Sequence, residues 1–144
     1  MLGTVWLIIC AMVFGGVMDA IGALEAISNV FLKWAQTTFK LIAGTAASSL
    51  TVNLTASDQY LAIVVPGKMF AKAYRDRKLA PENLSRTLED AGTVTSVLVP
   101  WNTCGAYQSR VLGVEVSEYF FYAFFNWISP FMTCLLYTSD AADD

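Results

Sequence analysis

Apolar residues are laid along this chain in long blocks, broken at only a few points by polar ones. The first block, Gly3 to Leu24, is 22 residues with Asp19 as its only charge. At ~1.5 Å rise per residue it reaches about 33 Å, enough to cover a ~30 Å hydrocarbon core, and it predicts a transmembrane helix. Neither a basic leader nor a small-residue cleavage site accompanies it, which argues against a removable signal peptide. Next, Glu25, Asn29, Lys33, Gln36 and Lys40 recur at helical spacing opposite Leu24, Ile27, Phe31 and Trp34. That pattern predicts an amphipathic helix lying in the membrane interface, over Leu24 to Lys40.

Between Lys40 and Lys68 lie 27 residues with one charge, Asp58, set among Asn53, Thr55, Ser57 and Gln59. A single helix there would be about 40 Å long, more than a crossing needs. The polar knot instead predicts two arms, Leu41 to Leu54 and Gln59 to Lys72, each about 21 Å long, that dip to mid-membrane and return as a re-entrant hairpin. Lys40 and Lys68 then share one side. The stretch "KAYRDRKLAPENLSRTLED" reads as a hydrated connection, with Pro81 in the first turn of a helix that continues through Arg86 and Glu89.

Ala91 to Ser109 holds 19 residues without charge, interrupted by Pro100, Trp101, Asn102, Thr103 and Gly105. Proline lacks a donor and clashes with the preceding turn, so the stretch predicts a discontinuous helix with carbonyls unpaired around Val97. Tyr119 to Leu136 predicts an aromatic-rich transmembrane helix kinked at Pro130. The fold class expected is therefore all-α integral membrane.

Composition sharpens this picture. At 56% hydrophobic and 15% charged residues, with a mean hydropathy of +0.50, the chain is too apolar for a soluble domain of 144 residues. Five of its nine basic residues, Lys68, Lys72, Arg75, Arg77 and Lys78, fall within 11 positions, and the positive-inside rule puts them on the cytoplasmic side. The net charge of −3 comes from Asp140, Asp143 and Asp144; without them acids and bases balance at nine each. Those acids belong to the ending "CLLYTSDAADD", which resembles translated sequencing adapter, so 1–137 is read as the membrane domain and 138–144 as a non-native tail. Cys134 sits at its edge.

The absence of histidine, with only the widely spaced Cys10, Cys104 and Cys134, argues against zinc and imidazole chemistry; any proton must ride on Asp or Glu. No phosphate-cradling glycine loop or nucleophile elbow occurs, so the expectation is no enzyme, no cofactor and no nucleic-acid partner.

What the polar interruptions offer is oxygen. Irregular chain survives at membrane depth only where protein or water surrounds it, and two breaks in one short chain imply a site. Asp58 can cap a helix starting at Gln59 by accepting from the amide of Tyr60 or Leu61. It can also bind an ion, because a carboxylate has two oxygens. Na+ is a hard cation, and Asn53, Thr55, Ser57 and Asp58 supply side-chain oxygens beside freed carbonyls. A carboxylate takes either a proton or a cation, so one group could exchange the two.

Glu89 and Asp90 read either as a solvated helix end, with Arg86 worth a few tenths of a kcal/mol to Glu89, or as further ion and proton ligands. Asn102 and Thr103 are poor choices for a plain membrane helix and join the candidate site. Asp19 is read as snorkelling to the membrane edge, and Arg110 and Glu115 as boundary charges. Gly15, Gly16, Gly44, Ala46, Ala47, Ser48 and Ser49 read as close helix-packing surfaces.

At "LTASDQYLAIVVPGKMF" and "NLSRTLEDAGTVTSVLVPWNTCGAY" the sequence resembles the NhaC-type Na+/H+ antiporters of the ion transporter superfamily. The likeness runs from "WLIICAMVFGGVMD" through "YAFFNWISP", about 130 residues. It implies a secondary transporter exchanging Na+ for H+ across the bacterial cytoplasmic membrane, multi-pass, with Na+ and H+ as cargo. Its relatives also couple these ions to malate and lactate. Family proteins are much longer, so the resemblance implies the C-terminal part of one, half of an inverted-repeat secondary transporter whose other half is missing. Its partners would be the lipid bilayer, the N-terminal half and, in some assemblies, a second copy as a homodimer. Met1 would then be an internal residue.

The likeness carries function onto Asp58, Glu89, Asp90, Asn102 and Thr103, with Gln59, Tyr60, Pro100, Trp101 and Gly105 supporting. Two positions depart from the family pattern: Ser57 stands where Gly is expected, and Val97 where Pro is expected. The first bears on the hairpin tip, and the second shifts the helix break toward Pro100. A carboxylate exchanger and a membrane scaffold without transport are the competing functional expectations.

Overall fold

The computed structural model describes residues 2–140; Met1 and residues 141–144 of the expected tail lie outside the described residues. It is helical throughout, with no strand among the described residues. The helices are α1 (Leu2–Ala20), α2 (Ala23–Trp34), α3 (Thr38–Ala56), α4 (Gln59–Asp76), α5 (Pro81–Leu88), α6 (Val94–Ser96), α7 (Thr103–Leu112), α8 (Val116–Tyr119) and α9 (Phe124–Asp140). A π turn, Glu89–Thr93, joins α5 to α6, and a 3-10 turn, Phe120–Tyr122, follows α8.

Among the described residues, no single helix is long and apolar enough to cross a membrane, while two bent pairs reach that length and composition together. The expected straight helix from Gly3 to Leu24 is one of them: α1 stops at Ala20 and the chain bends by 62° into α2. The cause is Gly22, whose φ of 71° takes the left-handed conformation that glycine enters without a Cβ penalty. The expected single helix from Tyr119 to Leu136 is the other, bent by 54°. It turns at Ala123 (φ −80°, ψ 54°), ahead of Pro130, which lies inside α9.

The amphipathic segment also ends early, at Trp34 rather than Lys40. Thr37 starts α3 there, its hydroxyl accepting from the Lys40 amide at 3.3 Å, and Lys40 Nζ sits 5.5 Å from the centre of the Trp34 ring. Along α2, Leu24 and Ser28 are buried while Glu25, Asn29 and Lys33 are exposed.

Helix α3 occupies the centre of the molecule and α4 runs back along it. Val52 and Ala56 pack on Ala62 and Val65 near the connecting turn. Leu41 and Ile42 pack on Phe70 and Tyr74 at the far end, so the Lys40 end of α3 lies beside the basic end of α4. Both arms outrun the lengths expected, at 19 and 18 residues, because Thr37 caps early and α4 persists to Asp76.

Small side chains let these helices close up, and two serines do more than pack. Pro66, buried inside α4, has no N–H for the carbonyl four residues back, that of Ala62; the buried Ser49 hydroxyl donates to it instead, at 2.8 Å. Ser48 donates to Ser28 of α2 at 2.9 Å. Outside this centre, α1 and α9 turn large apolar side chains outward, among them Trp6, Phe14, Phe125 and Phe131, each more than half exposed. Such a surface suits lipid or further protein better than water.

Candidate functional site

Two chain breaks meet at one place: the turn between α3 and α4, and residues 97–102 between α6 and α7. Ser57 ends α3 with φ 58°, and its carbonyl accepts from the Thr103 amide at 3.1 Å. Trp101 Nε1 donates to the Leu54 carbonyl at 2.9 Å. Two carbonyls at the C-terminal end of α3, where helical donors run out, are therefore satisfied by the second break.

Buried amides tie the two together. Asn53 and Asn102 are 1% and 0% exposed, and Asn102 Nδ2 donates to Asn53 Oδ1 at 2.6 Å. Asn53 Nδ2 in turn donates to the Gly92 carbonyl at 2.9 Å and to Thr95 Oγ1 at 3.3 Å. Asn102 also caps α7, its Oδ1 accepting from the Cys104 amide at 3.0 Å. In hydrocarbon each of these groups left alone would cost several kcal/mol.

Gly105 is the hinge of this arrangement. A Cβ built on it would sit 2.1 Å from the Val99 carbonyl oxygen, so only glycine lets α7 fold back against the break. Gly92 is nearly as confined, with 2.7 Å to Ser49 Oγ, and this brings the π turn against α3.

Side-chain donors also reach the carbonyls along the irregular stretch. The Ala91 carbonyl accepts from Thr95 Oγ1, that of Thr93 from Ser96 Oγ at 2.6 Å and that of Val94 from Asn126 Nδ2 at 2.6 Å. The Val97 carbonyl, which the proline break was expected to leave unpaired, accepts from the Tyr119 hydroxyl at 2.6 Å. The irregular backbone is held by side chains from α3, from its own strand of helix and from the aromatic segment.

Asp58 lies at this junction, half-buried. It caps α4, Oδ1 accepting from the Tyr60 amide at 3.3 Å. Beside it Gln59 Oε1 accepts from Ser96 Oγ at 3.2 Å and from Cys104 Sγ at 3.1 Å. Thr103 follows, its hydroxyl 3.4 Å from Asn102 Oδ1. Tyr60 and Pro100 are exposed.

Other candidates lie apart. Thr55 turns back into its own helix, donating to the Thr51 carbonyl at 2.8 Å. Glu89 is exposed, and Asp90 accepts from the Thr133 hydroxyl of α9. Asp19 is exposed.

Sequence reasoning gave no role to Cys104, Tyr119, Asn126 or Thr133. The one available signal was Asn126 standing alone in the run "FFNW". A cavity of about 430 Å³ opens between α3, the break and α9; its walls are mostly apolar, with Asn53, Thr95 and Asn126 as polar points and no carboxylate among the lining residues.

Ser57 makes a prediction of its own. A non-glycine residue at a left-handed φ carries strain of roughly 1–2 kcal/mol, so Ser57→Gly is expected to stabilise the fold by about 0.5–1 kcal/mol after the extra chain entropy of glycine is counted. Thermal unfolding in detergent micelles reads this as a raised midpoint. A lowered midpoint would mean that the serine side chain contributes contacts outweighing the strain.

Comparison with known proteins shows the family. The profile of the Na+/H+ antiporter family matches residues 1–139. The chain is 42% identical, over 94% of its length, to the Na+/H+ antiporter NhaC of Alkalihalophilus pseudofirmus, and 39% identical, over 94%, to the NhaC of Bacillus subtilis. It is 30% identical over 90% to a Bacillus subtilis protein named malate-2H+/Na+-lactate antiporter. It spans 29%, 30% and 27% of those proteins. No solved structure matches it.

Proposed function

The chain belongs to the Na+/H+ antiporter family, and from that premise we propose that it carries part of the ion site of a secondary transporter exchanging Na+ for H+ across the bacterial cytoplasmic membrane. In this reading the α3–α4 pair is a re-entrant hairpin and α6, the break and α7 form a discontinuous helix, both belonging to one half of an inverted repeat. The driving force is the ion gradient, and no cofactor is needed.

One observation carries the reading: Asp58 sits where the two breaks are clasped, with Thr103 bonded to the neighbouring Ser57 carbonyl. Its cap bond uses one carboxylate oxygen; the second is available to a cation, and hard cations prefer such oxygens. The N-termini of α4 and α7 meet at the same point, and Asn53 and Asn102 hold them in register. Ser57 and Thr103, joined through the Ser57 carbonyl, flank Asp58 in the chain folding and are the further oxygens this reading assigns to the cation; Asn102 Oδ1 already accepts from the Cys104 amide, Thr55 bonds within α3, and Glu89 and Asp90 lie apart.

Inverted membrane vesicles containing a full-length antiporter with this segment test the reading. Added Na+ should dissipate an acid-inside pH gradient; a gradient that ignores Na+ would retire it. Malate or lactate should not be required, and stimulation of Na+ flux by either would instead favour coupled carboxylate exchange, in which the two helix N-termini hold an organic anion.

A further inference from the structure

The break between α6 and α7 creates two carbonyls that its own amides pass over. At the end of α6 the amides of Val97 and Leu98 both turn to the Thr95 carbonyl, and that of Val99 turns to Ser96. This tightening to three-residue spacing skips the Val94 carbonyl. Continued one step, the same spacing would bring the amide of residue 100 to Val97, but Pro100 has no N–H. Side chains supply what is missing: the Val94 carbonyl accepts from Asn126 Nδ2 and the Val97 carbonyl from the Tyr119 hydroxyl, both at 2.6 Å.

These two donors stand on either side of a bend. Tyr119 closes α8 and Asn126 lies in the first turn of α9, with the 54° bend at Ala123 between them. In a straight helix seven residues would separate them by about 10.5 Å along the axis, while carbonyls three residues apart are separated by about 4.5 Å. The bend lets both donors reach, and it is braced. Trp127 Nε1 donates across it to the Phe120 carbonyl at 2.9 Å, and the Phe120 and Trp127 ring centres lie 4.9 Å apart. Anchoring in lipid needs only the aromatic side chains; the half-buried amide between Phe125 and Trp127 serves the break.

What lies beyond the break gives the two bonds their consequence. Trp101 and Thr103 donate to the Leu54 and Ser57 carbonyls, and Asn102 donates to Asn53, which together close the turn that carries Asp58. We propose that Tyr119 and Asn126 are positioning residues for the ion site. They fix where the broken helix stops, and through the break they set Trp101, Asn102 and Thr103 against the Asp58 turn. The inference rests on the exchange reading above and adds to it two side chains that act on the cation only through the backbone they hold.

Tyr119→Phe and Asn126→Leu, each made in a full-length antiporter with this segment, test it in vesicles by the Na+ dependence of exchange. Each should raise the half-maximal Na+ concentration about tenfold while the maximal rate per inserted protein stays near the parent's, the pattern of weakened binding. Tyr122→Phe is the control: that residue is 78% exposed on the same segment, and its loss of a hydroxyl should leave both quantities unchanged. An unchanged half-maximal concentration in Tyr119→Phe overturns the inference. So does a loss of exchange that only follows the loss of inserted protein, since the two bonds would then support the fold alone. If Asn126→Leu inserts poorly, Tyr119→Phe, which removes a single oxygen, still decides the question. A parent without Na+-dependent proton movement overturns the exchange reading instead, so the two failures are distinct.

Discussion

Gly105→Ala is expected to destabilise the fold by about 3 kcal/mol or more. The added methyl would lie 2.1 Å from the Val99 carbonyl oxygen, and a backbone atom cannot swing aside as a flexible side chain would. Relief requires α7 to move away from the break. That in turn opens the Asn102 cap of α7 and the Thr103 bond to Ser57, so Na+/H+ exchange should be lost along with the unfolding midpoint. Gly16→Ala is the control, since a Cβ there meets nothing within 4 Å. In the helical α1 it should be neutral or stabilise by up to about 1 kcal/mol. Equal midpoints for the two variants would mean that the break does not depend on close approach at Gly105.

Asp58→Asn should behave in the opposite way, sparing the fold and removing the function. Asn caps helices about as well as Asp, so the bond to the Tyr60 amide survives and the unfolding midpoint should shift by no more than about 0.5 kcal/mol of stability. An amide, however, binds no proton in the physiological range and brings no charge to a cation. Na+-dependent proton movement in vesicles should therefore be abolished. Exchange at the parent level would show that the carboxylate serves α4 alone.

Much of the architecture is legible in the sequence because the polar residues are so few. The interruption from Asn53 to Asp58 marks the α3–α4 turn, and Pro81 marks the start of α5, since each acts locally. Ser57 at a left-handed φ also explains why a glycine is expected there. The bends escaped prediction for a different reason. Gly22 and Ala123 look unremarkable inside apolar runs, and no neighbouring polar residue marks the conformations they adopt.

The site divides along the same line. Asn53 and Asn102 stand out in sequence as costly amides, but that they bond each other across 49 positions depends on how the two breaks are folded together. Tyr119 and Asn126 read as ordinary members of an aromatic run until Val97 and Val94 are seen to need donors. Ser49 read as a packing residue because the need it meets, the Ala62 carbonyl, is created by Pro66 on another helix. The separation of Asp90 from Asp58 was likewise hidden, because the π turn that aims Asp90 at Thr133 has no local signature.

The central claim is that sodium and hydrogen ions take turns on the Asp58 carboxyl. Its most direct test is the Na+ concentration giving half-maximal exchange, measured across a range of pH. Competition for one carboxyl predicts that, below the pH where that group releases its proton, this concentration rises about tenfold for each unit of acidification. A half-maximal concentration that stays constant as pH falls would contradict it.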